Sequence, residues 1–476
     1  MILKKSLHVG LFMLVAVAPM LAGGPIESKY KNSADALIDG ALKDPKSLDE
    51  LQYLCDHIGN RISGSENLNR AIAWSVERMK ARGLENVHTQ PVMVPHWVRG
   101  EEVSTVTAPV TRKLHLIGIG NTVGTGADGL DAEIVVVKDF DALKALPADA
   151  VKGKIVVYTP DWRGYGYNYQ FRTEGSDKAA ALGAVAVLVR SATGLALQAP
   201  HTGTLRYGGD VKKIPAAAIS VEDAAFLGRL AAEGKPVRVK LKMMEESLPM
   251  VESANVIGEI PGSEHPEEIV AVGGHIDSWD VGQGAQDDGV GVMASLEAVA
   301  LIKKLNLHPK RTIRLVFWVE EESGSEGGAE YRKQLGAGVK NHVAAIEMDG
   351  GAEAPVAIGY GSRYYGRGEK EPAHTGASWQ IVDQIAGLLK AAGVEKARAG
   401  GGGADIEPLT EDGVAGFEPI NEGKHYFDWH HTEADTFDKV NPEDFRRNVA
   451  TLAVLSYVLA DIPERIEGEK AAPEKK

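Results

Sequence analysis

From Ala254 onward the chain alternates apolar strand candidates with helix candidates, and that rhythm narrows the possible folds more than any other feature. "EEIVAVGGHI", "RTIRLVFWVEE", "HVAAIEMDGG" and "GVAGFEPI" are continuous apolar runs, while "GVMASLEAVALIKKL" and "TGASWQIVDQIAGLLKAAG" carry a helical repeat. Strands that are apolar on both faces must be covered on both faces. The pattern therefore predicts an α/β fold: a mixed, mostly parallel sheet sandwiched by helices. In such sheets ligands bind beyond the carboxyl ends of the strands.

Those ends carry the chemistry. The first strand ends at His275, the second runs into Glu320, Glu321 and Glu322, and the third runs into Asp349. The last leads to "YFDWHHTEADT", with His430 and His431. A single histidine or aspartate at a strand end is commonly a cap or a turn former, and a glutamate triplet is commonly solvated. Four such ends in one sheet converge on one edge and fit a site for a cation. The chain has one cysteine, Cys55, so a thiolate zinc site and an intramolecular disulfide are both excluded. Any metal must be held by His, Asp and Glu. Asp287 and Asp288, in "GQGAQDDGVG", stand just beyond the His275 strand at the start of a helix. Acids there can be plain caps. A carboxylate in a glycine-rich turn can also bridge two metals, one oxygen on each.

The rest of the chain has other textures. Residues 33 to 83 read as helical, with Leu68, Ile72, Val76 and Met79 at helical spacing and Gly83 as the stop. "VHTQPVMVPHWVRG" then alternates like a strand. Between about 120 and 245, short strands ("GKIVVYT", "AVAVLVR", "PAAAISV") and short helices succeed one another without a metal-type cluster. This section reads as a small β-rich domain, residues 121–245, inserted into a larger one made of 25–120 and 246–464. A chain of 476 residues has room for both. The start, "MILKKSLHVGLFMLVAVAPMLAGG", has the layout of a secretory signal peptide over residues 1–23, which predicts an exported chain, periplasmic or secreted, with no membrane segment in the mature form. Residues 465–476 read as a disordered tail. A net charge of -14 argues against a nucleic-acid partner.

Taken in order, "HIDSWD", "GAQDDGVG", "WVEEESG", "EMDGG" and "HHTEADT" resemble the co-catalytic di-zinc exopeptidases, metallopeptidase family twenty-eight. The likeness is nearest to the plasma glutamate carboxypeptidase (carboxypeptidase Q) branch, and it extends to "GNRISGSE", "WVRGEE" and "GGGGADI". The inserted section resembles the protease-associated (PA) domain that this branch carries at the same place. The resemblance implies the zinc-exopeptidase fold and two Zn2+ ions. It gives His275 and Asp349 to one zinc, Glu322 and His431 to the other, and Asp287 to both. It makes Glu321 the general base and Asp277 the acid behind His275 that fixes the ring tautomer. Asp405 matches a loop aspartate near the substrate. The implied activity is hydrolysis of small peptides or dipeptides, by an aminopeptidase or a carboxypeptidase, with a homodimer hinted. Two rival readings share the scaffold: a glutaminyl-cyclase-like aminoacyltransferase, and a non-catalytic receptor or binding relative. The substrate pocket is not legible, although "RGYGYNYQFR" and "SRYYGRGEKEPAH" offer aromatic and basic groups.

Overall fold

The computed structural model describes residues 24–361 and 376–468. The expected signal peptide, the "SRYYGRGEKEPAH" stretch and residues 469–476 lie outside them. The chain builds two eight-stranded sheets. In the first, Arg311–Trp318, His265–His275, His342–Glu347 and Ala415–Asn421 lie side by side and parallel. Antiparallel Glu246–Ile260 and Glu85–Val98 extend it on one side, and Pro355–Gly361 and Lys396–Ala399 on the other. The sheet is thus mixed with a parallel centre, as its apolar strands demand.

Both faces are covered. Helices Pro25–Leu42, Glu66–Ala81, Val290–Lys304, Ala377–Leu388 and Pro442–Asp461 share the larger core with the sheet. On the opposite face Trp318 packs with Tyr331 of helix Glu326–Leu335 and with Ile406 and Leu409. Helix Val290–Lys304 is buried from Val290 to Ile302, all round, because helices Pro25–Leu42 and Pro442–Asp461 close over it. Its sequence is apolar on nearly every side for that reason, and its one buried acid, Glu297, pairs with Arg82. Helix Glu66–Ala81 starts where Ser65 accepts a hydrogen bond from the Leu68 N–H at 3.1 Å.

The second sheet grows from the tip of a ribbon. Glu85–Val98 pairs with Glu246–Ile260 in the first sheet, and the same two stretches of chain continue as Glu102–Ala108 and Arg238–Met243, paired in the second. The strands between residues 102 and 243 therefore belong to the second sheet, which begins ahead of the 120/121 boundary read from sequence. The missing signal is pairing: Glu102–Ala108 has no partner near it in sequence except Arg112–Lys113. At the far end, Ile466 packs into the main core, so ordered chain continues past 464. Among the described residues no helix is long and apolar enough to cross a membrane.

Candidate metal centre

Register brings the strand ends level. His275 pairs opposite Trp318, and Gly273 opposite Glu347. Hence His275, the Glu320–Glu322 turn and Asp349 leave the sheet at the same edge. His430 and His431 arrive there after strand Ala415–Asn421 and the short helix Tyr426–Trp429.

The two adjacent aspartates divide the work. Asp288 faces inward: one oxygen accepts from the His275 N–H at 3.1 Å and the other from the Gly291 N–H at 3.0 Å. It ties the strand end to the helix start. A Cβ on Gly274 would lie 2.2 Å from the Asp288 carboxylate, so this glycine gives the acid its room. Asp287 faces the other way. Its Oδ1 lies 3.3 Å from His275 Nε2, which is itself 3.3 Å from Asp349 Oδ1. Its Oδ2 lies 3.0 Å from His431 Nε2, which is 3.0 Å from Glu322 Oε2. Each Asp287 oxygen therefore enters a different cluster. His430 joins the second one, with Nε2 at 3.5 Å from Asp287 Oδ2 and its ring stacked on His431 at 3.5 Å.

These groups fit a cation better than they fit one another. His275 Nε2, Asp287 Oδ2, Glu322 Oε1 and Asp349 Oδ1 are buried without a hydrogen-bond partner, a costly arrangement unless something else binds them. The charges say the same. Burial and repulsion from Asp287 push Glu322 up to about 7. Burial likewise raises Asp349 against the attraction of His275. Burial opposes the charged His275 ring, but Asp277, Asp287 and Asp349 together hold its pKa well above the usual value. Four carboxylates crowded on two histidines, all nitrogen and oxygen donors, suit zinc.

The glutamate triplet splits three ways. Glu320 is buried and turned away, its carboxylate accepting from the Glu326 N–H at 2.8 Å at the start of helix Glu326–Leu335. Glu322 joins His431. Glu321 is partly exposed between them, and burial together with Asp349, Glu322 and Asp287 pushes its carboxyl well up, against the opposing pull of His275. Asp277 is fully buried. Its carboxylate accepts from the N–H groups of Glu321 at 3.2 Å and Glu322 at 3.4 Å, while His275 Nδ1 lies nearer the Asp277 carbonyl, 3.2 Å, than its carboxylate, 3.6 Å. Asp277 thus positions the glutamate turn with its side chain and meets the ring mainly with its backbone. Asp405 is fully buried beside Glu347 and is pushed well up by burial and by that neighbour.

Sequence reasoning gives no role to two further supports. Asp435, from "HHTEADT", accepts from the Gln286 N–H at 2.7 Å and the Asp287 N–H at 3.2 Å, fixing the turn that aims Asp287. Arg61, from "GNRISGSE", is fully buried and donates to the carbonyls of Ile276, Gly59, Gln283 and Gly284 at 2.6–3.0 Å. It clamps the loop between His275 and Asp287. Both lie in motifs that the sequence marks, but their partners are backbone groups, which a side-chain pattern does not reveal.

A cluster of buried histidines and carboxylates at the carboxyl edge of a parallel sheet, with a partly exposed glutamate beside it, defines a metal-dependent hydrolase. The sequence profile of peptidase family M28 matches residues 255–456, and that of the PA domain matches 119–227. Carboxypeptidase Q of Bos taurus is 40% identical over 421 residues, 88% of this chain and 86% of its own length. The crystal structure of a peptidase M28 precursor from Shewanella amazonensis SB2B superposes with a TM-score of 0.87 at 32% identity, covering 94% of this chain and 100% of that one. A zinc aminopeptidase from Bacillus subtilis has the same fold, with a TM-score of 0.67 at 21% identity over 89% of this chain and 97% of its own. The chain belongs to peptidase family M28, and it is a metallo-exopeptidase.

Proposed function

We propose that two zinc ions bind here, one held by His275, Asp349 and Asp287, the other by His431, Glu322 and Asp287. The observation that carries this reading is Asp287, whose two oxygens face the two clusters. His430 is a second candidate for the His431 side, favoured by its 3.5 Å approach to Asp287. Zinc content of His430→Ala and Glu322→Ala separates the two: the true ligand is the one whose loss removes an ion.

Bound zinc supplies a Lewis acid that lowers the pKa of water toward neutrality and polarises the scissile carbonyl. The chain's own residues do the rest. Glu321, partly exposed and free of ligand duty in this reading, takes a proton from the attacking water on a carboxylate oxygen and delivers it to the leaving amine. Asp277 holds the Glu321 and Glu322 backbone so that the base and the ligand keep their spacing. Trp279, edge-on to His431 at 5.7 Å, walls the site from water.

Small peptides, including dipeptides, are the proposed substrates of the chain as an exported enzyme that begins after residue 23. The division into a peptidase body, residues 25–101 and 244–468, and an inserted unit, 102–243, rests on sheet membership and on the packing of Ile466, and belongs to the same proposal. Likeness to the carboxypeptidase Q branch supports a homodimer, which light scattering on the mature chain tests. Product analysis tests the activity and which chain end is read. A dipeptide free at both ends, an amino-blocked peptide and a carboxyl-amidated peptide are incubated with the enzyme, with and without chelator. Cleavage of the amidated peptide alone among the blocked pair makes it an aminopeptidase; cleavage of the amino-blocked one alone makes it a carboxypeptidase. Cleavage of the free dipeptide only makes it a dipeptidase. No chelator-sensitive cleavage contradicts the proposal.

A further inference from the structure

The inserted unit reaches into the metal centre at Thr202. Thr202 lies in the connection between strands Ala186–Arg190 and Ala216–Ile219. Its N–H donates to the His431 carbonyl at 3.0 Å, and its own carbonyl lies 3.2 Å from His431 Nδ1. One residue thus grips both the main chain and the ring of His431. His431 needs holding, because its φ of +62° falls in the left-handed region that non-glycine residues rarely adopt. With Nδ1–H donating to Thr202, the ring lone pair sits on Nε2, the atom that faces Asp287 and Glu322.

Thr202 is in turn held by Arg172. Arg172 Nη1 donates to the Thr202 carbonyl at 2.6 Å and passes 3.3 Å from His431 Nδ1, and Nη2 donates to the Tyr165 hydroxyl at 2.6 Å. Arg172 is 5% exposed and its guanidinium pairs with no carboxylate among the described residues, so salt bridging does not account for it. Space for it is built in: a Cβ on Gly203, whose φ is +133°, would lie 2.1 Å from the guanidinium carbon. Tyr165, also in the inserted unit, carries the contact on to the body, its ring stacked on Phe427 at 4.7 Å.

We infer that Arg172 is a positioning residue for the metal centre: by fixing the Thr202 carbonyl it makes the inserted unit orient His431 and thereby set the affinity of the second ion. This rests on His431 being a ligand, as proposed above. Outer partners of this kind change metal affinity by about 10–100-fold when removed.

The test uses the full mature chain, stripped of metal and reloaded with zinc alone or cobalt(II) alone. Arg172→Met is expected to release one of its two ions to a competing chelator about 10–100-fold more readily than wild type. Its cobalt electronic spectrum shifts, its turnover recovers in excess zinc, and its KM for a dipeptide stays near wild type. Arg172→Lys, which keeps a donor, recovers most of the affinity. If Arg172→Met does not fold, Tyr165→Phe, which deletes only the hydroxyl that accepts from Arg172, gives a smaller loss in the same direction. Wild-type zinc affinity and an unchanged cobalt spectrum in these variants would overturn the inference. So would a rise in KM confined to peptides with a free carboxylate at unchanged zinc affinity, which would make Arg172 a substrate contact. His431→Ala separates the two levels. Two tightly held ions in that variant refute the ligand reading, whereas loss of an ion there with no effect at Arg172 refutes only the inference.

Discussion

The two sheets are built alike and used differently. Each has eight strands and a parallel centre of four: Arg311–Trp318, His265–His275, His342–Glu347 and Ala415–Asn421 in one, and Leu130–Val137, Ile155–Tyr158, Ala186–Arg190 and Ala216–Ile219 in the other. They differ just beyond the strand ends. In the inserted sheet the polar residues there serve the backbone. Asp139 accepts from the Ala142 N–H at 2.7 Å and Ser220 from the Asp223 N–H at 3.1 Å, each starting a helix. In the body Asp288 takes the backbone role and leaves Asp287 free to face two histidines. A parallel sheet provides an edge where side chains converge. A site arises when the capping duty is carried by one residue and the ligand duty by its neighbour.

Substitutions sharpen this contrast, the largest effect falling on the chemistry. Glu321→Gln is expected to keep its zinc and lose about 10²–10⁴-fold in turnover, the usual worth of a general base. Steady-state rates with elemental analysis check it, and near-wild-type turnover would remove Glu321 from its role. Arg61→Met removes a donor shared by four backbone carbonyls and is expected to cost about 3 kcal/mol of stability, read from denaturant unfolding, with zinc loss alongside. If stability falls and zinc is retained, the loop does not aim Asp287.

The joint between the sheets offers a pH test. Glu245, at the return from the inserted unit, is buried with neither oxygen hydrogen-bonded, and Glu102 and Arg99 face it around Gly118. Burial and the neighbouring Glu102 push it up to about 8 from an ordinary 4.5, against the pull of Arg99. The folded chain then keeps a proton that the unfolded chain releases, so this group lowers stability as pH rises from about 4.5 through about 8. Glu245→Gln is expected to remove that slope and to stabilise the protein by at least about 1 kcal/mol at pH 8, seen by unfolding at two pH values. An equal slope in both proteins would contradict it. Ser220→Ala should cost about 1 kcal/mol through its lost cap and leave zinc content untouched. A zinc loss there would mean that the inserted strand ends do more than cap.

Much of this architecture is legible in the sequence. The apolar runs mark the parallel strands because burial on both faces leaves no room for alternation, and the residues ending them stand out as a pattern. The ribbon that joins the sheets does not, since pairing between Glu102–Ala108 and Arg238–Met243 spans more than a hundred residues. Nor does the support for His431. Thr202 acts through its carbonyl, which every residue possesses, so no side-chain pattern can mark it. Arg172 stands in a stretch of evident aromatic and basic character, but only the fold shows what it faces.

Zinc stoichiometry tests the central claim most directly. Wild type and Asp287→Ala are stripped, reloaded with zinc, freed of excess and assayed for metal per chain. Two ions per chain in wild type, with binding at both positions lost or severely weakened in Asp287→Ala, is the result predicted for a carboxylate shared between clusters. One ion in wild type, or two held as tightly without Asp287, would contradict it.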